Sequence, residues 1–224
     1  MLQDWLARLH LSLVALLLAL SGHASVAPTT VNINVSRPAA RAAAFTPNYA
    51  AAARMDRLWR WPRFPLHVFI AGHNDEEKRE AGVAMAGFDE WVTASRDGVR
   101  YQIVNSPSEA DVTVRFTTDE YLNDRRGVVG ETHVSGRGGV LFKAEMRLAT
   151  GGASDSDLQT AAAHEFGHAL GIGGHSNSPK DLMYPSQVRY LRWDQTPIPS
   201  APRHVTRRDL NTLRVCYPDL TPPG

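Results

Sequence analysis

Residues 164–175 read HEFGHALGIGGH, and this stretch constrains the chain more than any other. His164 and His168 stand four apart in an Ala-rich segment that reads as helix. On a helix, residues four apart lie one turn apart on the same face. The two imidazoles can therefore aim at one metal ion. Glu165 sits beside the first, placed to hold a water at the ion and take its proton. Gly171 can end the helix, because a residue leaving a helix often needs positive φ. The chain then turns back and can present His175 as a third ligand, with His133 and His204 as more distant substitutes. Three protein ligands plus one open position is the layout of a catalytic zinc, not of a closed structural one. The competing interpretation is two satisfied histidines on an amphipathic helix. The glycine turn, the third histidine and Met183 downstream weigh against it.

Composition narrows the choice further. The chain has 224 residues, enough for one domain with flanking segments. A net charge of +1 gives no argument for nucleic acid or for an acidic partner. The single cysteine, Cys216, excludes an intramolecular disulfide framework and a Cys-rich zinc module. Any metal must be held by histidines and carboxylates.

Along the chain, residues 1–27 read as an export signal. Arg8 and His10 precede an apolar run from Leu11 to Leu20, and small residues follow, with cleavage expected after Ala24 or Ala27. The run is short for a bilayer span, although Asp4 weakens the positive start and keeps an N-terminal anchor open as the alternative. An extracytoplasmic location, secreted or periplasmic, is expected. Residues 28–60, rich in Ala, Pro, Thr and Arg, read as a linker or short pro-segment. Within them, Val31 to Val35 alternates as an isolated strand would.

The folded domain is expected over 61–218, with a tail at 219–224. Strands are expected at Leu66–Ile70, Val99–Val104, Ala110–Phe116, Gly127–Ser135 and Gly138–Ala149. Asn74 and Asp75 can cap a long helix reaching Ser95, with Ala81, Ala84, Met85, Phe88, Trp91 and Val92 at helical spacing. The helix carrying the histidines should run from about Ser156 to Leu170, capped within Ser154–Ser156. A Pro-containing loop, roughly Ser186 to Val205, leads to a last helix capped by Thr206 and stopped by Pro218. The fold class is α+β: a mixed, mostly five-stranded twisted sheet with two long helices and a C-terminal helix.

HEFGHALGIGGHS, followed eight residues after its last histidine by Met183 in DLMYP, resembles the metzincin zinc peptidases. Among them it is similar to the matrixins, the matrix-metalloproteinase-like branch, over roughly 61–218. The resemblance implies one catalytic zinc on His164, His168 and His175, with Glu165 as general base and later general acid. It implies that Met183 forms a hydrophobic floor beneath the ion and that Tyr184 and Pro185 begin the wall of a specificity pocket. Three features depart from the family. The usual spacing puts the third histidine at Gly174, so His175 comes one residue late, a shift that Gly173 and Gly174 can absorb. The only thiol, Cys216, lies in the last helix and not where animal matrixins carry their latency cysteine. The His and Asp cluster of a structural zinc is missing between Gly127 and Ala149, where His133 reads as a strand surface residue. Ca2+ has no support either, since Glu145, Asp155 and Asp157 read as a strand carboxylate and helix-start charges.

The expected function is an exported zinc-dependent endopeptidase that hydrolyses internal bonds of a protein or peptide substrate. It is expected to act as a monomer, without nucleic acid and without a membrane partner beyond the signal segment. The strand Gly127–Ser135 is the candidate edge on which an extended peptide would lie. The alternative is a zinc-binding, metzincin-like protein without turnover that serves as a protein-binding module; an intact Glu165 argues against it. A non-enzymatic exported domain with incidental histidines is a third class, which metal analysis separates from the other two.

Overall fold

A computed structural model describes residues 38–72, 74–118, 122, 129–185, 189–190, 197–198 and 203–220. The expected signal segment, the Val31–Val35 stretch and most of the loop before Val205 lie outside the described residues. Strands β1 (Leu66–Ile70), β2 (Tyr101–Ile103), β3 (Val112–Thr117), β4 (Gly130–Arg137) and β5 (Val140–Ala149) form one sheet in the order β2-β1-β3-β5-β4. The pairs β1–β2, β1–β3 and β3–β5 are parallel, and β4 runs antiparallel to β5. β4 is therefore an edge strand, as its sequence suggested. The expected second strand is shorter than its apolar run, and Gly138 and Gly139 belong to the β4–β5 turn and not to a strand. Within the loop before Val205, Arg189–Tyr190 and Pro197–Ile198 pair as β6 and β7.

Four helices complete the described fold: α1 (Pro38–Ala44), α2 (Asp75–Ala94), α3 (Asp155–Ala169) and α4 (Arg207–Cys216). Asn74 caps α2, its side chain accepting from the Glu77 amide at 2.9 Å, and three acidic residues fill the first turn. Ser154 caps α3, and Thr206 caps α4. Each makes a reciprocal capping box with an aspartate three residues on, Asp157 and Asp209. α3 lies between α2 and the strands β4 and β5. Its Ala-rich face lets α2 approach closely, and the Trp91 indole donates to the Ala163 carbonyl at 2.8 Å. Phe88 stacks on Phe166 with ring centroids 4.4 Å apart, joining the two helices at the core.

Of the expected linker over 28–60, residues 28–37 lie outside the described residues and the rest docks on the fold. From Pro38 onward the chain packs on the domain, and Tyr49, Ala50, Ala53 and Met55 are buried in the core. Much of this docking is made by backbone groups. The Tyr49 amide donates to the Thr212 hydroxyl at 3.1 Å, and Asn211 donates to the Pro47 carbonyl at 3.0 Å. The Arg60 amide donates to the Gly139 carbonyl at 3.0 Å, and the Trp61 indole to the Ala169 carbonyl at 2.8 Å. A composition of Ala and Arg without apolar period hides such contacts, because the groups that dock are common to every residue.

Tyr49→Ala should cost about 3–5 kcal/mol, the usual range for a buried aromatic, which in a domain of this size lowers the melting temperature by roughly 10 °C. Arg54→Ala, at an exposed position five residues on, should shift it by no more than about 2 °C. Calorimetry on both variants checks this, and an unshifted Tyr49→Ala protein would show that the segment is not part of the core.

Candidate metal centre and cleft

α3 is buried on nearly every side, which makes its polar residues conspicuous: His164 and Glu165 are 3% and 6% exposed. Buried polar groups need partners, and the imidazoles find theirs in carbonyl oxygens. His164 Nδ1 lies 2.9 Å from the Leu182 oxygen, and His168 Nδ1 lies 2.7 Å from the Ile172 oxygen. A carbonyl oxygen can only accept, so both Nδ1 atoms carry the proton. Each Nε2 is then a lone pair, the form that ligates a metal.

His175 completes the group. His164, His168 and His175 offer ligand atoms that all lie within 4.8 Å of one another. The Nε2 atoms of His168 and His175 are 3.3 Å apart. Two nitrogens on a tetrahedral zinc with bonds near 2.0–2.1 Å stand about 3.3 Å apart. The donor set therefore fits zinc. Burial pushes the His164 and His168 imidazoles below their ordinary pKa, His164 further through its neighbour His168. Burial and the His168 ring lower His175 to about 4. All three are neutral near pH 7. The other sequence candidates stand elsewhere: His133 is exposed on β4 with Glu131 at 3.9 Å, and His204 pairs with Glu90 at 3.1 Å.

The late position of His175 is accommodated by the loop before it. Gly171 leaves the helix at φ +114°, and its amide still donates to the His168 carbonyl at 2.9 Å. At Gly174 a Cβ would collide with the Ala53 carbonyl oxygen. Residues near Ala53, which the sequence placed in a linker, thus press against the loop that delivers the third imidazole.

Met183 is fully buried, and its sulfur lies against Gly167 of α3. The turn that holds it is organised by Asp209, which is also fully buried. The Asp209 carboxylate accepts from the Leu182 amide at 3.0 Å, the Met183 amide at 3.3 Å and the Tyr49 hydroxyl at 2.7 Å. It also accepts from the Thr206 amide at 2.8 Å in the capping box. Asp181, equally buried, takes the Arg208 guanidinium at 2.6 Å and the Ser176 hydroxyl. Thr206 reads as a cap from the sequence alone, which carries no sign that the paired aspartate reaches the Met183 turn.

Glu165 faces the edge strand. Its Oε2 lies 2.7 Å from the Thr132 hydroxyl. Burial raises its carboxyl to about 7, against the lowering effect of Thr132. A bound dication would favour the ionised form. The cleft in front has a volume of about 350 Å³ and is lined by Gly130, Thr132 and Val134 of β4, the three imidazoles, Glu165 and Pro185.

Comparison with known proteins places this geometry. The family profile for matrixins matches residues 67–201. Macrophage metalloelastase of Rattus norvegicus is 30% identical over 180 residues, covering 74% of this chain and 36% of the relative. Matrix metalloproteinase-25 of Mus musculus is 36% identical over 108 residues, covering 42% of this chain and 17% of the relative. Matrix metalloproteinase-20 of Homo sapiens is 36% identical over 90 residues, 37% of this chain and 18% of the relative. The matched region is thus a minor part of each of these relatives.

The neutral imidazoles set a pH dependence for the metal-free protein. A histidine depressed in the fold binds a proton more readily when unfolded, so stability falls as pH drops below the ordinary value near 6.5, and for His175 it continues to fall to about 4. Glu165 acts oppositely between about 7 and its ordinary 4.5. Three imidazoles outweigh one carboxyl, so the melting temperature of metal-free protein should fall from pH 7 to pH 5. Melts across this range check the sign, and a rising melting temperature would contradict it.

Proposed function

The chain belongs to the matrixin family of zinc metallopeptidases, and we propose that it is an exported endopeptidase in which His164, His168 and His175 hold one zinc ion and Glu165 is the general base. The observation that carries this reading is the convergence of three neutral imidazoles beside a single buried carboxylate at an open cleft. Zinc in such a site acidifies water and polarises the scissile carbonyl. Glu165 takes the proton of the attacking water and delivers it to the leaving amine nitrogen, returning to its carboxylate form each cycle.

The rest of the cleft suits an extended peptide. β4 is a sheet edge, and its outer backbone N–H and C=O groups can pair with a substrate strand. Met183 floors the site from below, and Tyr184 and Pro185 begin the wall of the pocket that takes a substrate side chain. Export is inferred from residues 1–27, and no helix among the described residues is long and apolar enough to cross a membrane. The substrate is a protein or peptide, and the chain acts as a monomer.

Zinc-loaded wild-type protein should cleave a denatured protein at internal bonds. Glu165→Ala should keep zinc near one equivalent and lose about 10²–10⁴-fold in kcat, the usual general-base contribution. Product mass spectrometry with metal analysis checks both. A wild-type protein that holds zinc and binds peptides without cleaving them would instead mark a binding module, and an Ala variant as fast as wild type would remove Glu165 from the mechanism.

A further inference from the structure

We propose that Thr132 is a positioning residue for Glu165, and that its hydroxyl commits Oε2 so that Oε1 is left for the attacking water. This inference rests on the peptidase reading above. Thr132 Oγ1 lies 2.7 Å from Glu165 Oε2 and 3.1 Å from the Glu165 carbonyl oxygen. The hydroxyl has one proton, and the shorter contact, to a carboxylate, is the stronger acceptor. Among the described residues no other donor reaches this carboxylate. Among these residues Thr132 is thus the hydrogen-bonding group that fixes its plane, since the last torsion of a glutamate is otherwise broad.

The stem and the other oxygen of Glu165 are constrained by shape. A Cβ on Gly130 would lie 2.5 Å from Glu165 Cγ and 2.8 Å from Oε1. Glu165 thus packs directly on bare backbone at Gly130 and is gripped by a hydroxyl two residues along the same strand. Both residues are located by the ladder, with Gly130 opposite Leu148 and Thr132 opposite Met146. A ladder holds its members more firmly than a loop does, which suits a group that must orient another. The strand proposed to seat the peptide is then also the strand that aims the base, so substrate and base share one rigid reference.

Nothing in the sequence hints at this pairing, since Thr132 and Glu165 are 33 residues apart and a strand threonine is ordinary. The test uses Thr132→Val, which keeps shape and removes the hydroxyl, and Thr132→Ser, which restores it. Thr132→Val should keep zinc near one equivalent and leave KM within about twofold of wild type. Its kcat should fall about ten- to a hundredfold, as expected for a misaimed reacting group, and Thr132→Ser should recover most of that loss. A readout independent of turnover comes from the metal-free protein. There Thr132→Val should lower the urea midpoint, and it should do so less in a Glu165→Ala background, where no carboxylate is left unpaired. If wild type cleaves and Thr132→Val matches its kcat, or if Ser is no better than Val, the inference is overturned while the peptidase reading stands. If zinc-loaded wild type cleaves nothing, the peptidase reading fails, and this inference fails with it whatever the urea midpoints show.

Discussion

The Asp209 carboxylate is the interaction on which the rest of the site depends. It is fully buried, and a buried charge is tolerated only when its lone pairs are taken. Here they are taken by groups from three places: the cap of α4, the Leu182–Met183 turn and the hydroxyl of Tyr49. Each partner bears on the candidate metal centre. The turn places the Leu182 carbonyl that orients His164 and the Met183 side chain that packs under α3. Tyr49 anchors the segment whose Ala53 carbonyl crowds Gly174 beside the third imidazole. One carboxylate therefore links the segment at 38–60, the last helix and the three clustered imidazoles.

A helix buried on nearly every side explains why the imidazoles are so well oriented. His164 and His168 each set Nδ1 against a carbonyl oxygen, which fixes Nδ1 as the protonated nitrogen and leaves the Nε2 lone pair for a metal. The same burial raises the carboxyl of Glu165 and gives weight to the donor that reaches it among the described residues, Thr132. The orientation of the imidazoles and the raised carboxyl of Glu165 thus have a common origin in the packing of α3 between α2 and the sheet edge.

Much of this was legible in the sequence, and the remainder follows a pattern. The four-residue spacing of His164 and His168 is local, and local periodicity survives in one dimension. The strands and α2 were legible for the same reason, and so was the Thr206 cap. His175 was legible as a candidate because two glycines precede it, although only the fold shows that Ala53 sits where a Cβ on Gly174 would go. The segment at 28–60 read as a linker because the docking of its described part uses backbone groups and isolated residues such as Tyr49. Thr132 and the wider role of Asp209 were hidden because their partners are distant in sequence and neither belongs to a motif.

The central claim is that three imidazoles and one open position make the metal centre. X-ray absorption at the zinc edge on zinc-loaded wild-type protein tests it most directly. Three nitrogen scatterers near 2.0–2.1 Å with imidazole multiple scattering, plus one oxygen without it, is the result expected for an open catalytic site. A shell of two imidazoles, or one closed by four protein ligands, would contradict the account.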